Sequence, residues 1–157
     1  MTDQPIVYDK AKWHYGGDYP SDLDQSHAFI HSGLFLGWLV ERDMLDPEFM
    51  TDIGGPDGEI GQFKCRQITS PKLFELWDGV LVDDMLNEEA NAFTQAYFDF
   101  QTGQYLQDYD LHLSHGLPTM YHVEDTWENY DTIKVQIDKR FTEWKRKQTK
   151  QWWQFWK

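Results

Sequence analysis

The sequence predicts a mainly α fold: an irregular single-domain helical bundle with long loops and at most a minor strand element. Three observations lead there. Apolar residues recur at helical spacing, most clearly at Ala90, Phe93, Tyr97 and Phe100 and again at Ile133, Ile137, Phe141 and Trp144. Helix start signals precede such segments, while turn-rich stretches separate them. The chain has 157 residues with 10 Phe, 8 Tyr and 8 Trp, enough apolar surface for one well-filled core. Residues 1–147 are expected to form the domain. Residues 148–157 are expected to extend the last helix as an aromatic and basic tail.

Taken in order, "IVYDKAKWHY" suits a short helix or turn with Gly16 as its left-handed cap. A helix then runs from about Asp24 to Arg42, capped by Asp24 or Ser26. Apolar residues cover most of its circumference, which marks a central, buried helix. Gly33 and Gly37, four apart, permit close approach of a neighbour. Asp46-Pro47-Glu48 starts a short helical turn, and "DIGGPDGEIG" is a loop. "QFKCRQI" suits an isolated short strand. Ser70-Pro71 opens a helix, with serine as cap and proline at the first position, that stops at Asp78-Gly79. Asn87 caps the next one. "QYLQDYDLHL" places Tyr105, Tyr109 and His112 on one helix side. Asp125 and Glu128 have the spacing of a capping box for the last helix.

Charge narrows the function. Net charge is −13, and it is uneven: residues 1–128 carry 24 acids against 6 bases, residues 129–157 carry 3 against 8. An acidic body repels phosphate backbones and attracts basic proteins. The N-terminal "MTDQPIVYDK" has no charged stretch followed by an apolar one, and no run approaches 18 apolar residues. Neither a signal peptide nor a membrane span is expected, and the cytoplasm is the expected compartment. One cysteine, Cys65, excludes an internal disulfide. It sits between Lys64 and Arg66 without an identifiable histidine partner and is taken as structural.

No motif names a reaction. "GxSxG" and "GxxxxGK[ST]" are both absent. His27 and His31, four apart, share a helix face and could grip a metal with His14, Asp18 or Asp22, but no "HExxH" occurs. His112 and His115 with Asp108 and Asp110 suit a solvated helix end. No residue is assigned to catalysis or to a metal, and no cofactor is expected. "KWHYGGDYPSD" is taken as a structural clasp. Gly16 and Gly17 allow a reversal and Pro20 fixes its exit. Trp13 and Tyr19 bury their rings on the central helix, and His14 reaches that helix near His31.

"YDKAKWHYGGDYP", "HSGLFLGWLVERDML" and "NEEANAFTQAYFDFQTGQYLQDY" resemble a family of small uncharacterised bacterial domains. The residues that carry the resemblance are Trp13, His14, Tyr15, Gly16 and Gly17, then His31, Gly33, Phe35 and Trp38. Asn87, Asn91, Phe93, Tyr97, Tyr105, Asp108 and Tyr109 complete it, over residues 8–146. Such domains are similar in size and context to immunity proteins of bacterial toxin systems. The resemblance implies a non-enzymatic binding protein that neutralises a cognate toxin, with a basic nuclease as the leading class. Asp52, Asp57, Glu59, Asp83, Asp84, Glu88 and Glu89 are the expected contacts, standing in for phosphates. Nucleic acid and membrane are not expected partners. The alternatives are a metal-binding or enzymatic domain centred on His14, His27 and His31, and a homo-oligomer held by the aromatic tail.

Overall fold

A computed structural model describes residues 4–155, except for the side chains of Trp152, Gln154 and Phe155. The fold is mainly α with one two-stranded sheet. The chain opens as strand β1 (Val7–Lys10), not as the helix or turn expected there, and only then turns through a 3-10 segment, Ala11–His14. β1 pairs antiparallel with β2 (Val80–Val82), which the sequence had not marked. Two short strands gain stability only from each other and from a core beneath them, so neither is legible alone. The register slips between Val7 and Asp9. Such a bulge re-aims side chains, and here Asp9 is buried.

The central helix is α1 (Ile30–Glu41), entered through a 3-10 turn at Gln25–Phe29. Asp24 caps that turn by accepting from the Ser26 amide at 3.2 Å. Every residue from Ile30 to Val40 is buried, as the broad apolar circumference predicts. The neighbour that Gly33 and Gly37 admit is α4 (Ser70–Leu76): a Cβ on Gly33 would stand 2.5 Å from the Pro71 Cα, and one on Gly37 2.5 Å from the Ser70 Cβ. The cap of α4 is Thr69, whose hydroxyl accepts from the Lys72 amide, so Ser70 lies one residue inside the helix. The helix ends at Leu76, and Asp78 and Gly79 just beyond it both take positive φ, where a Cβ on Gly79 would meet the Phe29 ring at 2.7 Å.

Short helices α2 (Pro47–Asp52) and α3 (Glu59–Lys64) flank the glycine-rich loop. α3 replaces the strand expected at "QFKCRQI": burying Ile60 and Phe63, three apart, suits one helix face. α5 (Glu88–Tyr97) is capped by Asn87, which accepts from the Ala90 amide at 2.8 Å. α6 (Tyr105–Tyr109) runs into a π-helical turn at Asp110–Ser114. The widened turn breaks the register, so Tyr105 and Tyr109 are buried while His112 is exposed.

α7 (Trp127–Phe155) closes the core with Ile133, Ile137 and Phe141. The expected capping box does not form. Thr126 accepts from the Asn129 amide, and Asp125 instead accepts from the Thr69 hydroxyl at 2.7 Å. Asp108, also expected at a solvated end, is buried. Arg140 of α7 donates to both its oxygens at 2.9 Å and the Tyr97 hydroxyl donates at 2.7 Å, tying α5, α6 and α7 together. Rings fill the centre: Phe35 lies 4.7 Å from Phe98 and 5.9 Å from Trp38, and Trp38 lies 5.3 Å from Phe141. The indole N–H of Trp38 donates to Asp138 at 2.7 Å. In the aromatic tail, the side chains of Trp152, Phe155 and Trp156 lie outside the described residues. Among the described residues no helix is long and apolar enough to cross a membrane.

Candidate functional site

The β1 bulge, the 3-10 turn behind it and the start of α1 bring Asp9, His14 and His31 to one point. His14 Nε2 lies 2.8 Å from Asp9 Oδ1 and 3.1 Å from Oδ2. His31 Nε2 lies 3.1 Å from the same Oδ2 and 3.2 Å from His14 Nε2. The Ser32 hydroxyl donates to Oδ2 at 2.5 Å. His14 Nδ1 is 2.7 Å from the Tyr121 hydroxyl, and the two rings meet edge to face. Asp9 and His31 are almost wholly buried, with Phe100, Tyr109 and Tyr121 around the His31 ring; His14 retains 14 % of its side-chain exposure.

Burial opposes a charge on Asp9. The hydrogen bonds from His14 and His31 and the Ser32 hydroxyl outweigh that, and hold the carboxyl below its ordinary range. For His31 burial wins over the Asp9 carboxylate, and its pKa is lowered, so the ring is neutral near pH 7. Burial, then the Asp9 charge, raises the Tyr121 phenol. The centre therefore combines a carboxylate, a neutral imidazole and a second imidazole with an outer hydrogen bond.

The histidine pair that shares helical spacing does not share a site. His27 sits on the 3-10 turn, where its Nδ1 is 2.6 Å from the Tyr121 carbonyl oxygen. A 3-10 turn brings side chains around by three residues, which breaks the four-residue alignment with His31. Asp18 is exposed, and Asp22 bonds to His122 at 3.1 Å. The carboxylate that does join His14 and His31 is Asp9, read in the sequence as part of a helix or turn. Its only signal was its place two residues after Val7 in a strand-compatible "VYDK".

The rest of the clasp differs in two parts. Trp13 is 54 % exposed instead of buried, because the 3-10 turn directs Ala11 inward. Gly16 and Gly17 lack positive φ, and a Cβ on either meets nothing within 4 Å, so Gly16 is not a left-handed cap. Tyr19 packs at 5.0 Å on Tyr121 and 5.4 Å on Tyr15, and donates to the Asp24 carbonyl. Trp38 stands in the core.

A second feature is an acidic groove of about 540 Å³ between α2 and the turn that follows β2. Asp52, Asp83 and Asp84 line it together with Asp46, Glu48, Phe49, Leu86 and Asn91. Backbone bonds fix its walls: Asp46 N to Met85 O at 2.9 Å and Asn87 N to Met44 O at 3.0 Å. Asn91 donates to the carbonyls of Asp83 and Leu86 and accepts from the Tyr8 hydroxyl at 2.7 Å. The Asp46 carboxylate is used as the α2 cap. Among the described residues Glu48, Asp52, Asp83 and Asp84 have no ion-pair partner, and Asp83 Oδ1 is buried without a hydrogen bond. The remaining expected contacts do not line the groove. Glu59 accepts from the Trp77 indole at 2.7 Å, Glu89 is paired with Lys145, and Asp57 and Glu88 are exposed. Sequence reasoning had missed Asp46 and Glu48, whose "DPE" signal marked only a helix start.

A family model described as a domain of unknown function (DUF7832) matches residues 7–123. That span contains every residue of both features and stops before α7. No curated protein and no solved structure matches the chain.

Proposed function

The chain belongs to the DUF7832 domain family, and we propose that it is a bacterial immunity-type protein, working in the cytoplasm, that neutralises a cognate basic toxin of the nuclease class. The observation that supports this most is the groove: four carboxylates that have no cationic partner among the described residues stand around a concave surface with Phe49 and Leu86 in its wall. Crowding like charges raises the energy of the free protein, and a cationic segment relieves it. Phe49 and Leu86 supply apolar contact, and the acids speed encounter. A nuclease surface shaped for phosphates offers the complementary cations. Occupying that surface blocks substrate without any chemistry by this chain.

The test is binding to the basic toxin encoded beside it, followed at two salt concentrations. Association is expected to slow by about tenfold or more between low and physiological salt. Replacing Asp52, Asp83 and Asp84 together by asparagine is expected to remove most of that salt dependence. Absence of binding, or an affinity indifferent to salt and to the triple substitution, rejects the reading.

A further inference from the structure

We propose that Asp9, His14 and His31 form a centre for one borderline first-row divalent cation, with zinc as its representative. The three atoms Asp9 Oδ2, His14 Nε2 and His31 Nε2 make a nearly equilateral triangle with edges of 3.1, 3.1 and 3.2 Å. A cation about 2.1 Å from each of three ligands in a tetrahedral or octahedral site separates them by about 3.0–3.4 Å. The triangle is thus one face of such a site, already assembled. These residues also form the candidate ligand cluster among the described residues, with ligand atoms all within 4.8 Å of one another.

His14 Nε2 and His31 Nε2 face each other at 3.2 Å beside the Asp9 carboxylate, whose Oδ1 lies 2.8 Å from His14 and whose Oδ2 lies 3.1 Å from His31 and also accepts from Ser32. A cation takes lone pairs from both nitrogens and from Oδ2 together. The outer contacts suit ligands as well. Tyr121 at 2.7 Å from His14 Nδ1 leaves Nε2 as the ligating atom, and the Ser32 hydroxyl orients the carboxylate. Two imidazoles and one carboxylate favour zinc, iron(II), cobalt or nickel over magnesium or calcium. Three protein ligands leave a position for water or a group from outside. The partly exposed His14 marks the side from which that position is approached. This centre shares no residue with the acidic groove.

Zinc binding to the full chain, measured by calorimetry and metal analysis, tests it. One zinc per chain is expected. Cobalt in its place should give visible d–d absorption that zinc displaces. His14→Gln, at the most exposed ligand, and Asp9→Asn should each weaken zinc by about 100-fold or more, beyond the 10–100-fold cost of losing an outer partner. Tyr121→Phe should fall within that smaller range, and His27→Gln should leave affinity unchanged. Wild-type chain that takes up no stoichiometric zinc overturns the proposal, even if a variant fails to fold. So does stoichiometric zinc that a folded His14→Gln chain retains with wild-type affinity.

Discussion

At Asp9 and Asp108 the cost of burying a carboxylate is offset by different partners, and each partner set has the same consequence for acid stability. Burial raises the pKa of both. At Asp9 the bonds from His14, His31 and Ser32 prevail, and at Asp108 those from Arg140 and Tyr97. Both folded pKa values therefore lie below the unfolded value of about 3.9. The unfolded chain takes up these protons first, so their stabilisation is complete above about pH 3.9 and is lost as pH falls through the folded values. The denaturant midpoint of the metal-free chain should drop steeply below about pH 4; a plateau from there to about pH 2 contradicts the pairing. Local sequence carried little of this. Asp108 lay in a polar-looking stretch with two histidines, and its partner Arg140 lies 32 positions away in another helix. His14 and His31 were legible as neighbours because the clasp that carries His14 turns back onto the central helix that carries His31. Asp9 was not, since its inward aim depends on a bulge against a strand that follows α4.

Elements were more legible than sites, and most where a physical cause acts within a few residues. Asp24, Asp46 and Asn87 each cap the helical segment that follows them. The close approach of α1 and α4 was also marked, by two glycines one turn apart. Gly33→Ala directs a methyl at the Pro71 backbone, which cannot rotate away, so the helices must separate. It should destabilise the chain by about 1–3 kcal/mol, the usual cost of overpacking, although alanine is the better helix former. Chemical denaturation measures this, and an unchanged or higher midpoint would show that the α1–α4 contact is looser than the structure has it. The capping box at Asp125 failed for a cause outside its own segment: Thr69 claims that carboxylate, and Thr126 caps instead. The strand expected at "QFKCRQI" failed because Ile60 and Phe63 are buried together on a helix.

Over the whole molecule, charge of one sign is the dominant surface property. With a net charge of −13, self-repulsion weakens the folded state, while exposed pairs such as Arg66–Asp131 contribute little. Raising ionic strength from about 0.01 to about 0.15 M shortens the Debye length from about 30 to about 8 Å. The melting temperature should rise by about 2–4 °C, equivalent to about 1 kcal/mol at this chain length. A fall would mean that the ion pairs outweigh the net charge. The helical class, the buried central helix and the acidic body are all readable along the chain. Helical periodicity, capping and composition are local or summed properties that survive without coordinates. Which acids share a groove, the meeting of β1 with β2, and the place of Asp9 instead of His27 beside His14 and His31 emerge with the folded arrangement. Those are contacts between segments far apart in the chain, fixed by a shared core and not by the residues on either side.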